Sequence, residues 1–178
     1  MSGTGTTGIT YKERNPAPKQ KREQRRFYVD ARIDPNDNTS PIFYLIGEDN
    51  EDLTRERSWN SEQKKNVLGV TTTTSTLEGE SISVEPFYAR QGDAMAVLLQ
   101  HFDKHDSELD SIKRNYYEAK IDNEGKTIYA FRKTADIMLN SVGGPSEDAD
   151  NLPFEISLSG AKVEQEFDLA TEAFSDKP

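Results

Sequence analysis

From Phe27 onward the chain is a succession of short stretches in which apolar and polar residues alternate, each closed by Gly, Pro, Asn or Asp. Only one stretch carries helical spacing. Alternation at period two is the mark of a half-buried strand, so a chain dominated by it has to build sheet. Phe27, Val29, Ala31 and Ile33 alternate with Tyr28, Asp30 and Arg32 until Asp34-Pro35-Asn36-Asp37-Asn38 stops them with turn chemistry. A short apolar run, Ile42 to Ile46, follows and ends at Gly47. Leu53 to Leu68 is strongly polar yet lacks Pro and Gly, which is expected of an exposed extended hairpin or loop.

Gly69 to Leu77 is rich in β-branched Thr, whose stiff χ1 suits a pleated surface, so a strand is expected there. Glu78-Gly79-Glu80 is expected to break it before a second strand through Ile82, Val84 and Pro86. The helical spacing falls in residues 92–104. There Ala94, Val97, Leu98 and Met95, Leu99, Phe102 recur at spacings of three and four, and Asp93 stands where an N-cap is favoured, predicting the one helix. Beyond it, Tyr116 to Ile121 and Lys126 to Lys133 flank the hairpin loop Asp122-Asn123-Glu124-Gly125. Further strands are expected over Ile137 to Val142 and Phe154 to Leu158. After a Ser159-Gly160 turn, another is expected over Val163 to Leu169. The fold class implied is mainly β (all-β or α+β): a β-sandwich or partly closed barrel with one flanking α-helix.

Composition narrows the setting. A length of 178 residues fits one domain, and 33% hydrophobic against 30% charged residues leaves a thin core that association with further copies would complement. Cysteine is absent, so disulfides and thiolate chemistry are excluded. The opening MSGTGTTGIT is polar and no apolar run approaches the ~20 residues of a membrane span, so synthesis is expected to end in a cytoplasm. The net charge of −10 is unevenly distributed. Residues 1–26 hold Lys12, Arg14, Lys19, Lys21, Arg22, Arg25 and Arg26 against Glu13 and Glu23, a net of +5, which leaves −15 on the remainder. A basic arm beside an acidic body can bind nucleic acid, with Tyr11 and Phe27 as stacking groups, or the acidic body of an identical neighbour. Self-association needs no outside partner and is the simpler reading. The organisation expected is a basic arm over 1–26, a β domain over 27–170 and a tail over 171–178.

Signals of catalysis are weak. His101 and His105 lie four apart on the expected helix with Asp106 adjacent, but no Glu holds the register of a zinc hydrolase and the chain has no third histidine. Histidines at a helix C-terminus are favoured by its dipole in any case. The 32 acidic residues fall mostly on turns and alternate strand positions, as a solvated face would place them. Gly143-Gly144-Pro145 lacks the Lys of a phosphate loop, and the GxGxxG spacing of Gly3, Gly5 and Gly8 follows no strand. No catalytic, cofactor-binding or metal-binding residue is expected, and the chain is read as not an enzyme.

The string NVLGVTTTTSTLEGESISVEPFYARQGDAMAVLLQHF, beginning at Asn66, resembles the central region of siphophage major tail proteins, the tail tube proteins. The shared features are a polar strand before an Asn-Val-Leu-Gly turn, a Thr/Ser-rich strand, the Leu77 to Pro86 segment, and Gly92-Asp93 opening the only sizeable helix. The segments Tyr116 to Arg132 and Leu152 to Leu169 follow in the same order, so the resemblance spans about residues 27–170 by pattern. It implies a β-sandwich subunit that forms six-membered rings stacked into a virion tail tube, assembled in the host bacterial cytoplasm. It also implies a lumen that passes genomic DNA without tight binding. The partners implied are further copies of the chain, a tape measure protein, a tail terminator and a distal tail protein. An inner tube of a contractile tail or secretion-type injection system, or a monomeric β-sandwich surface-binding module, stands as the alternative.

Overall fold

The structure, a computed structural model, describes residues 21, 24–36, 39–48, 50, 52–144 and 150–177. Among the described residues there are eight strands and one α-helix: β1 (Arg25–Asp30), β2 (Phe43–Leu45), β3 (Arg55–Lys65), β4 (Thr71–Val84), α1 (Ala94–Lys104), β5 (Lys113–Ile121), β6 (Thr127–Leu139), β7 (Phe154–Asp168) and β8 (Ala173–Asp176). A 3-10 turn, Leu109–Ile112, leads into β5. The strands form one antiparallel sheet in the order β2-β1-β5-β6-β7-β4-β3, with β8 paired to β7. The mainly β class with a single flanking helix is therefore as expected.

The helix starts where its chemistry says it should. The Asp93 carboxylate accepts from the backbone N–H groups of Met95 and Ala96, satisfying two of the donors that a helix N-terminus leaves unpaired. Met95, Ala96, Leu98, Leu99 and Phe102 are buried and join Phe27, Val29, Ile82, Val84, Phe131, Ile137, Phe154 and Ile156 in the main core on one face of the sheet.

The other face is also covered, which the alternation did not foretell. Tyr28 and Asp30 of β1, and Arg32 two residues beyond its end, occupy the polar phase and were expected to face water, yet all three are buried. Tyr28 lies beneath Phe167 and Phe174, with ring centroids 5.8 and 5.3 Å away, and Phe174 also meets Phe43 and Tyr117. The outer half of β7 and its partner β8 thus fold over the second face of β1, β2 and β5, enclosing a second cluster with Ala119, Ile121 and Ala130. Asp30 is neutralised by Arg32, whose guanidinium contacts both carboxylate oxygens at 2.6–3.0 Å. The segment 171–178, read as a tail, contributes β8 and the buried Phe174.

Three expected interruptions turn out to be bulges or continuations. Glu78-Gly79-Glu80 does not end a strand: β4 runs through it, and Glu78 is the extra residue where the pairing shifts from Ser58↔Gly79 to Trp59↔Leu77. Ser159-Gly160 does not reverse the chain either. Pairing passes from Thr134↔Ser159 to Arg132↔Val163, so Gly160, Ala161 and Lys162 bulge out opposite Lys133, with Gly160 in the left-handed region at φ 71°. The strands predicted separately at Lys126 to Lys133 and Ile137 to Val142 are the single strand β6. A local turn signal is overridden where tertiary pairing continues on both sides of it, at the cost of a bend.

Candidate functional site

β3 and β4 divide into a base within the body and a ribbon that leaves it. At the base, β4 pairs with β7 from Glu80↔Leu158 to Val84↔Phe154, and Ile82 and Val84 are fully buried. Beyond the Glu78 bulge β4 pairs only with β3, and β3 pairs only with β4 along its whole length. Every residue from Ser58 to Glu78 is exposed. From Trp59 to Lys65 the ribbon extends about 20 Å at ~3.3 Å per residue. Its tip is a tight turn: the Asn66 side chain accepts from Leu68 and Val70 N–H, Gly69 N–H donates to the Asn66 carbonyl, and Gly69 supplies the required φ of 80°. The ribbon carries apolar side chains into water, with Trp59 at 56% and Leu68 at 84% exposure and Val67 fully exposed.

The ribbon is anchored by two buried carboxylates. Glu80, 4% exposed, accepts from Arg57 Nε at 2.9 Å and from Lys133 Nζ, with Arg55 Nη1 at 3.9 Å. Glu118, wholly buried, accepts from the hydroxyls of Tyr116 and Tyr129 at 2.9 Å each. It also faces Arg55 Nη1 at 2.9 Å and Arg25 Nε at 3.5 Å. Burial disfavours the charge on Glu80, but the Lys133 hydrogen bond with Arg55 and Arg57 outweighs it and holds the carboxyl below its ordinary range. Burial raises the Tyr116 and Tyr129 hydroxyls, and the Glu118 charge raises them further. Neither glutamate stood out in the sequence, where acids were read as a solvated face. The available signal was phase, since Glu118 shares the strand face of Tyr116 and Glu80 that of Ile82.

Above this network lies a cleft of about 840 Å³ bordered by the base of the ribbon, the start of β6 and the outer half of β7. Arg25, Arg55, Arg57, Lys126, Lys162 and Lys177 line it together with Glu164 and Glu166, and Tyr129 and Phe131 form part of its floor. The β7 bulge places Lys162 Nζ 4.5 Å from the Phe131 ring centroid, with the Arg55 guanidinium 5.5 Å from the same ring. Burial first, and then Arg55 and Arg57, lower the Lys162 pKa.

Of the residues assigned to a basic arm, Lys12, Arg14, Lys19 and Arg22 lie outside the described residues. Lys21 donates its backbone N–H to Gln24 Oε1 at 3.0 Å. Arg25 and Arg26 stand within β1, so the body begins two residues ahead of its expected start. Arg25 pairs with Glu118 and Arg26 with Glu172, both in the same chain. His101 and His105 sit on the last turn of α1 and just beyond it, with rings 4.4 Å apart. Among the described residues no group of three metal-ligating side chains converges there or elsewhere, and no helix is long and apolar enough to cross a membrane.

Comparison with known proteins adds little. No family model and no curated protein matches the chain. A solved structure described as that of a type six secretion system protein aligns over 84% of this chain and 99% of its own, with 9% identity and a TM-score of 0.34. A likeness at that level carries no argument about what this chain does.

Proposed function

We propose that the chain is a non-enzymatic structural subunit that polymerises with itself into a tube of the siphophage tail type. The observation that carries this reading is the β3–β4 ribbon. Two long strands leave the body with both outer backbone edges unpaired among the described residues and with Trp59, Val67, Leu68 and Val70 in water. A monomer gains nothing from that arrangement, because an isolated two-stranded ribbon is marginal and an unpaired edge is an aggregation hazard. Copies arranged in a ring remove the hazard when the ribbon of each adds to the sheet of the next.

On this reading six-membered rings stack into the virion tail tube, after assembly in the host cytoplasm. A tape measure protein, a tail terminator and a distal tail protein bound its length. The ribbons close a lumen through which genomic DNA slides; over residues 55–80 Arg55, Arg57, Lys64 and Lys65 are balanced by Glu56, Glu62, Glu78 and Glu80, so the wall offers phosphates no net positive charge to hold them. The basic segment ahead of β1 bridges to an acidic neighbour. Negative-stain microscopy and sedimentation of the purified chain test the reading: hollow tubes or rings support it. A protein that stays monomeric up to millimolar concentration would instead favour a surface-binding module.

A further inference from the structure

The cleft holds more positive charge than its own chain neutralises. Arg25 and Arg57 are committed to Glu118 and Glu80, and Lys177 pairs with Glu164 at 2.9 Å. Lys126 and Lys162 are exposed and form no ion pair among the described residues. These two lysines outnumber the one lining acid without an ion pair among the described residues, Glu166, so an anionic group brought into the cleft meets attraction there.

The complementary feature stands at the other end of β6. Where α1 gives way to the 3-10 turn, Asp103, Asp106 and Glu108 are exposed around a shallow depression floored by Phe102, Ile137 and Leu139. Asp110 next to them is already paired with Lys113. The cleft is lined by Thr127 to Phe131 and the acidic corner lies against Ile137 to Leu139, so the two are separated by about 30 Å of one strand at ~3.3 Å per residue. Opposite charges at opposite ends of one strand make a head-to-tail contact, the heterologous kind that propagates a stack.

We infer that the basic cleft at Lys126 and Lys162 is the docking site for the acidic corner Asp103, Asp106 and Glu108 of a second copy of this chain. The inference rests on the assembly reading above and gives it a contact and a direction. A polynucleotide is the poorer occupant. Phe131 is only 6% exposed, with Lys162 and Arg55 against its ring, which leaves half-buried Tyr129 as the single accessible aromatic ring of the lining, too few to stack successive bases.

Three full-length variants test this by sedimentation and microscopy over a range of salt: Lys126→Glu with Lys162→Glu, Asp103→Lys with Glu108→Lys, and all four together. Each charge-reversed pair is expected to raise the critical concentration for assembly by about tenfold or more at low salt, and the four-fold variant to restore it to near the wild-type value. Thermal transitions confirm folding; if the glutamate pair does not fold, Lys126→Gln with Lys162→Gln is used, with the same direction and a smaller shift. Wild-type tubes matched by equally good tubes from the cleft variant would overturn this inference alone, as would a folded four-fold variant that stays defective. Oligonucleotide binding that is lost in the cleft variant while assembly is unchanged would overturn it in favour of nucleic acid. Wild-type protein that never assembles would remove the underlying reading as well.

Discussion

The base and the tip of the β3–β4 ribbon belong to the same two strands and obey opposite rules. At the base, Ile82 and Val84 are packed, and Arg55, Arg57 and Glu80 are ion-paired within the chain. At the tip, charged and apolar side chains alike are exposed, and the backbone pairs only with the facing strand. The Glu78 bulge marks the border. One strand pair can therefore serve two ends: the base is held by the fold, whereas the tip is held by backbone ladder bonds and turn chemistry and is free to meet a partner.

The sharpest way to break that comparison is at the base. Glu118→Ala leaves Arg55 and two tyrosine hydroxyls buried without their acceptor, and a loss of about 3–5 kcal/mol is expected by urea denaturation. Wild-type stability would mean that the buried charges are already hydrated. Phe174→Ala tests the layer that closes the second face. A loss of about 3 kcal/mol is expected, near the lower end for buried aromatics because β8 lies at the chain's periphery. An unchanged midpoint would reduce β8 to a passive tail.

Acid should loosen the base in a defined way. The folded pKa of Glu80 lies below its ordinary value of about 4.3, so its contribution is complete above that pH. It is lost as pH falls from there through the depressed value. Stability measured from pH 6 to pH 3 is expected to fall less steeply for Glu80→Gln than for wild type, and parallel curves would refute the assignment. At the tip, Leu68→Asp is expected to change unfolding free energy by less than about 0.5 kcal/mol, since the side chain packs against nothing, while assembly is lost. A folded variant that still forms tubes would show that the tip is idle.

What was legible in the sequence follows the range of the interactions involved. Helix α1 was read to within two residues because its apolar spacing and its Asp93 cap are local. The β-rich class was legible in the period-two runs and one hairpin turn in Asp122 to Gly125, whereas the turn at Asn66-Val67-Leu68-Gly69 was implied only by the family resemblance. The candidate site was legible only in outline. Leu53 to Leu68 was recognised as exposed and extended, but the buried pairing of Glu80 and Glu118 was hidden because burial of a carboxylate depends on cations from β1, β3 and β6 arriving from elsewhere in the chain.

By itself, then, the sequence determined which segments extend, which one coils, that no cysteine chemistry exists, and that a basic segment precedes an acidic body. Tertiary structure alone decided that Tyr28 and Asp30 are inside, that Glu78 and Gly160 mark bulges, and that the last residues form a strand. It also decided that Lys126, just ahead of β6, and Lys162 of β7 face one cleft. Local periodicity reports only one face of one strand, whereas burial on the second face, pairing across a turn signal and the gathering of charge are set by strands far apart in the chain, whose registers only the folded sheet defines.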